Sequence, residues 1–155
     1  MDYLDQEILK ILQKNCRTSL SSISRQIHLS IPACTERLKK LEANGTIKSY
    51  TAILSEKVLD RSLTSLMFIS LERPRFTENF VKKIQQETEI LECYYLSGNY
   101  DYQLKIKTKN TETLEKILNR IKNIEGVMKT ETIVVLSTTK EVHSVSPVDD
   151  LKSTI

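Results

Sequence analysis

The stretch Ser97-Gly98-Asn99-Tyr100-Asp101-Tyr102 sets a glycine, one of only three in the chain, inside an otherwise strand-like run. Gly98 lets backbone come close to a ligand without a Cβ, loop amides can receive a carboxylate, and Asp101 can accept from an ammonium. An α-amino acid presents both groups. A metal would need several hard oxygen ligands, and Asp101 is the only carboxylate in the loop. Catalysis would need a nucleophile, acid or base beside a partner, yet neither a histidine nor a second carboxylate is close in sequence. A plain turn stays open as the alternative, because Gly-Asn is a routine hairpin pair.

Chemistry elsewhere is sparse. Cys16, Cys34 and Cys93 form no CxxC pair, and with His28 and His143 they give no spacing that closes a zinc site. No metal or cofactor is expected, and the odd cysteine count argues against a disulfide framework. A thiol- or metal-responsive regulator is the minor alternative. "ERPRFTEN" (72–79) brings Arg73 and Arg75 to the place where an acylphosphatase-like enzyme of the same strand order would hold phosphate. It lacks the glycines that wrap an anion in backbone amides, so an enzyme is not expected.

The net charge of +3 is unevenly spread: residues 1–50 hold eight Lys/Arg against five Asp/Glu, and the remainder is balanced. A basic segment beside a neutral one suggests a polyanion-binding module joined to a module with another task. Leu4, Ile8, Ile11 and Leu12 stripe a first helix that Asp2 can cap. Ser19 can cap a short second helix with Leu20, Ile23 and Ile27 inward, and His28 is read as a surface residue at its end. Ser30 can cap a third helix, with Pro32 tolerated in its first turn and Asn44-Gly45 as the stop. Cys34, Leu38 and Leu41 face inward. The outer face carries Pro32, Thr35, Glu36, Lys39 and Lys40, with Arg37 on its flank.

Three short helices of this kind fit a helix-turn-helix whose last helix enters the major groove of double-stranded DNA. Lys39, Lys40 and Arg25 are expected at phosphates, and Thr35, Glu36 and Arg37 at base edges, with Ser30 and Pro32 part of the same surface. "LSIPACTERLKKLEANGTIKSYTAILS", through Leu29-Ser30, Arg37, Leu41-Glu42, Gly45, Ile47 and Tyr50, resembles the signature of the Lrp/AsnC family, the feast/famine regulators. Cys34 stands where that family usually has a branched aliphatic, and Thr46 where it often has Val or Ile.

From Ile47 to Leu54 apolar and polar residues alternate, as in an exposed strand, before the pattern is lost. A hinge is expected over 47–62. The family commonly has a glycine and a proline near Asp60 and Ser62, and Asp60 is a residue that tolerates a left-handed turn. Residues 63–138 then read strand, helix, strand, strand, helix, strand. The expected fold is α+β: a (winged) helix-turn-helix over 1–46, then a ferredoxin-like βαββαβ regulatory domain. Thr77 is expected to cap the first of its helices, and Thr111 or Asn110 the second. Apolar residues on both sheet faces suggest association through the open one.

The resemblance implies a regulatory domain that dimerises sheet to sheet and assembles into a tetramer or octamer. It also implies that Gly98, Asn99, Tyr100 and Asp101, with Thr130 and Thr132 of the last strand as the other wall, line a cleft for a free amino acid effector. Residues 139–155 are expected to form a flexible or loosely docked tail. With no membrane-spanning run and no signal peptide in sequence, a cytoplasmic location is expected.

Overall fold

The computed structural model describes residues 1–147 and divides the chain into two compact units, residues 1–52 with 140–147, and residues 53–139. Expectations for the tail beyond residue 147 lie outside the described residues.

In the first unit α1 spans Tyr3–Lys14, α2 Leu20–Gln26 and α3 Ile31–Ala43. Each starts at a side chain that satisfies an orphan amide: Asp2 accepts from Asp5, Ser19 from Ser22, and Ser30 from Ala33. Such caps are local in sequence, which is why residue types alone locate them. Ile8, Leu9, Leu12, Ile23, Cys34 and Leu41 form one buried core. Cys34 is 1% exposed there, so it packs as a small apolar residue. His28, between α2 and α3, adopts φ +55°, the left-handed conformation usually left to glycine or asparagine. Gly45, at φ +75°, turns the chain out of α3, and Ile47 N then donates to Leu41 O at 3.0 Å.

The alternation from Ile47 to Leu54 does not become a strand. Periodicity supplies the side-chain pattern, but a strand also needs a ladder partner, and none lies beside this segment among the described residues. Residues just before 148 return to the first unit, where Gln13 Nε2 donates to Val145 O at 2.6 Å and to Ser144 Oγ at 3.1 Å.

The second unit follows the order β1 (Leu63–Leu71), α4 (Thr77–Ile84), β2 (Ile90–Tyr95), β3 (Tyr102–Thr108), α5 (Thr111–Lys122), β4 (Val127–Val134). The antiparallel sheet runs β2-β3-β1-β4, the ferredoxin-like arrangement. Met67, Ile69, Tyr102, Leu104 and Ile106 of the central strands meet Phe80, Ile84, Leu114, Ile117 and Ile121 of the helices in a second core. Thr77 does not cap α4. Pro74 begins a 3-10 turn through Phe76 that runs directly into the helix and makes Thr77 its first residue. Asn110 rather than Thr111 caps α5, in a reciprocal capping box with Thr113.

Two left-handed residues shape this unit. Gly126 has φ +89°, and a Cβ there would lie 2.1 Å from Phe76 Cγ, so both backbone and packing require glycine. Asp60 takes φ +56° and pairs with Lys109 Nζ at 2.5 Å, the path its residue type permits.

Candidate functional site

On the first unit, α3 presents Ser30, Pro32, Glu36, Lys39 and Lys40 as exposed residues, with Thr35 half-buried beside them and Arg25 exposed on α2. No carboxylate among the described residues pairs with Arg25, Lys39 or Lys40, so their charge faces solvent. Thr35 Oγ1 donates to Ile31 O at 2.8 Å, which leaves its lone pairs available as acceptors. Ser30 Oγ accepts from Ala33 N at 3.3 Å as the helix cap.

Arg37, expected at a base edge, is held by two acids of its own unit. Its Nη1 lies 2.7 Å from Asp2 Oδ2 and 2.7 Å from Asp5 Oδ1, both at the start of α1. Hydrogen bonds that Arg37 donates to these acids hold it above its ordinary pKa, and the Asp5 backbone amide, then Arg37, hold Asp2 below the usual carboxylate value. Nothing local in sequence links residues 2, 5 and 37, so the pairing is a product of the tertiary fold.

On the second unit the loop between β2 and β3 is fixed by Asp101 at three points. Its Oδ2 accepts from Leu71 N at 2.7 Å, its own N–H donates to Ile69 O at 2.8 Å, and its carbonyl accepts from Leu96 N at 2.8 Å. Ser70 Oγ adds a long bond to Asn99 O at 3.4 Å. Asp101 is therefore also a clamp between the loop and the end of β1, a role that sequence reading missed.

Gly98 has neither a positive φ nor any atom within 4 Å of where its Cβ would stand. Asn99 likewise avoids the left-handed region. A two-residue hairpin turn places at least its first central residue at positive φ, so Gly98-Asn99 do not form one.

Tyr100 turns onto the sheet face away from the helices. Its ring lies 5.6 Å from that of Phe68 and under Lys129 Nζ at 4.9 Å, and its hydroxyl donates to Glu131. Thr130 and Thr132 are not on that face. They stand opposite Ile69 and Met67 across the β1–β4 ladder, and directly opposed residues share a face, so both threonines project to the helix side. Within one chain, then, the loop and Glu131 meet, while the two threonines line the other side of edge strand β4.

The alternative chemistries find little support in the geometry. Arg75 lies over the Phe76 ring at 4.8 Å and Arg73 Nε lies 3.7 Å from Glu72, so neither forms a cradle. Cys34 is buried and Cys16 exposed; Cys93 is exposed as a residue, and partial desolvation by its neighbours pushes its thiol up. The described residues contain no group of three or more metal-ligating side chains, and no helix among them is long and apolar enough to cross a membrane.

Comparison with known proteins matches residues 1–48 to a winged helix-turn-helix DNA-binding model and residues 64–145 to the Lrp/AsnC ligand binding domain. The chain is 38% identical over 141 residues to the HTH-type transcriptional regulator FL11 of Pyrococcus abyssi, covering 91% of this chain and 93% of that protein. It is 37% identical over 144 residues to the leucine-responsive regulatory protein of Escherichia coli K12, covering 91% and 88%. Among solved structures it resembles a transcriptional regulator of Neisseria meningitidis in complex with L-Met (TM-score 0.89, 28% identity, 94% and 96% covered). It also resembles AsnC of Escherichia coli (TM-score 0.88, 26% identity, 95% and 99% covered).

Proposed function

The chain belongs to the Lrp/AsnC family of transcription regulators, and on that premise we propose that α3 meets double-stranded DNA while the loop 97–101 binds a free amino acid that alters DNA affinity. The DNA-binding and ligand-binding domains are both present. Lys39, Lys40 and Arg25 are assigned to phosphates, Thr35 and Glu36 to base edges, with Ser30 and Pro32 at the leading end of the same surface. Gly98, Asn99, Tyr100 and Asp101 are assigned to the effector.

One observation carries the effector reading. Gly98 sits in a fixed loop, yet neither its own backbone nor its neighbours require a glycine. A ligand or a second subunit arriving from outside the chain supplies the missing reason. The Neisseria relative's complex with L-Met makes an amino acid the class to test first. Because Thr130 and Thr132 project away from Tyr100, they serve the same cleft only if it is built from more than one copy of the chain. Leu66, Phe68, Tyr94 and Ile133 on the open sheet face favour a homodimer, from which a tetramer or octamer is assembled. The protein is assigned no catalytic reaction, and its place is the cytoplasm, with the DNA it regulates.

An effector shifts DNA affinity only if it binds one arrangement of the assembly better than another. The test is a thermal-shift screen of the purified protein against the twenty amino acids, with oligomer size checked on any hit. A ligand at ~100 times its dissociation constant adds about 2.7 kcal/mol to the folded state, an easily read shift. No shift with any amino acid, with DNA binding intact, would remove the effector reading.

A further inference from the structure

Arg37 stands on the helix assigned to DNA, yet its short contacts run the other way. All four carboxylate oxygens of Asp2 and Asp5 are engaged there. Asp2 Oδ2 and Asp5 Oδ1 hold Nη1 of Arg37, Asp2 Oδ1 accepts from Asp5 N at 2.9 Å, and Asp5 Oδ2 accepts from Asp2 N at 3.1 Å. The cap that starts α1 is thus also the seat of a guanidinium from α3. The three side chains together carry one net negative charge. The Asp5 side chain is only 14% exposed and that of Arg37 30%, so water screens their contact less than it does an open surface pair, while Asp2, 54% exposed, closes the group on its solvent side. Nη1 of Arg37 spends its donors on these acids, so a phosphate or a base edge would meet only Nη2 and Nε of a guanidinium whose charge two carboxylates already offset.

We propose that Asp2 and Asp5 are positioning residues for DNA recognition: from α1 they withhold Arg37 from DNA and fix the pose in which α3 presents Thr35, Glu36, Lys39 and Lys40. The inference rests on the assignment of α3 to DNA. It makes the first turn of α1, which need not touch DNA, a determinant of how many phosphates the protein neutralises. A carboxylate lost there frees a cation on the helix that reads the site.

The salt dependence of binding to a mixed-sequence duplex counts those phosphates, with each contact contributing a slope of about 0.9. Full-length Lys39→Gln/Lys40→Gln is the control for the α3 assignment. Between 50 and 200 mM salt its affinity should fall about twelvefold less than that of wild type. Arg37→Gln should leave the wild-type salt ratio unchanged.

Asp2→Asn/Asp5→Asn should fall roughly threefold more than wild type, and adding Arg37→Gln to that pair should cancel the excess. Asparagine caps a helix as well as aspartate does, so the amide pair keeps α1 while removing the charge, and a melting curve verifies it. A merely structural role for Arg37 would change melting without this gain and its reversal. A roughly threefold weaker salt response in Arg37→Gln alone would put the guanidinium on a phosphate and overturn the proposal. So would an amide pair whose ratio equals that of wild type. An unchanged ratio in the lysine variant overturns the α3 assignment, and this inference with it.

Discussion

Replacing Asp101 in two ways separates its service to the fold from its service to a ligand. Asp101→Ala removes the acceptor for Leu71 N, which is otherwise met at 2.7 Å by Oδ2. An orphaned amide costs about 1–3 kcal/mol, and since Leu71 is only half-buried the lower half of that range applies. For a domain the size of residues 53–139, a loss of about 1–2 kcal/mol lowers the melting temperature by roughly 5–15 °C. Asp101→Asn keeps an oxygen of the same reach for Leu71 N, so its ligand-free melting should stay within a few degrees of wild type. It loses the charge that would meet an ammonium, a bond worth about 1.5–3 kcal/mol, so amino acid affinity should drop more than tenfold. Melting curves of both variants, with and without the amino acid that shifts wild type most, provide the assay. Equal ligand-free melting of the two variants would refute the clamp. Wild-type titration by Asp101→Asn would refute the ammonium contact.

Gly98→Ala should melt like wild type without ligand, because the new methyl group meets open space, but should weaken the amino acid shift; an unchanged titration curve would return Gly98 to a neutral loop position. His28→Gly should stabilise the first unit by up to about 1 kcal/mol, and His28→Val should destabilise it, since a β-branched residue resists φ +55°; chemical denaturation ranks the three. Arg120 holds Glu87 below the usual carboxylate pKa through bonds of 2.7 and 3.0 Å. A carboxylate with a lowered folded pKa stabilises fully above its unfolded value, about 4.3, and loses that contribution as pH falls through the folded value. Arg120→Gln should therefore lower the melting temperature at pH 7 more than at pH 3, and an equal loss at both would show that the pair acts through packing alone.

Much of the fold was legible because its signals are local. Asp2, Ser19, Ser30 and Asn110 sit at helix starts for reasons contained within four residues, and the apolar stripes of α1 and α5 announce their buried faces directly. Thr77 misled because Pro74 had already begun the turn: the Thr77 amide donates to Pro74 O, which puts Thr77 inside the helical run and not ahead of it. Ile47 to Leu54 has a strand's alternation, but pairing is a property of two segments and the second is not in sequence. The candidate site was legible by residue type and less so by geometry. Gly98 and Asp101 share one fixed loop. The face taken by Thr130 and Thr132, however, depends on register parity against β1, which a single strand does not reveal. Arg37 looked free because its two acids lie more than thirty residues upstream.

The pairing of β1 with β4 has a consequence for synthesis. Ser65 finds its ladder partner in Val134, so the sheet cannot close until the chain through Val134 has left the ribosome. The three-helix core draws on nothing beyond Ile47. A nascent chain therefore carries the three-helix core well before the sheet of the second unit exists, and before residues 140–147 can join it. During that interval one edge of the central strand β1 stays unpaired and ready to join a neighbouring chain. A message cut short in the second half would yield the three-helix core without the sheet that follows it.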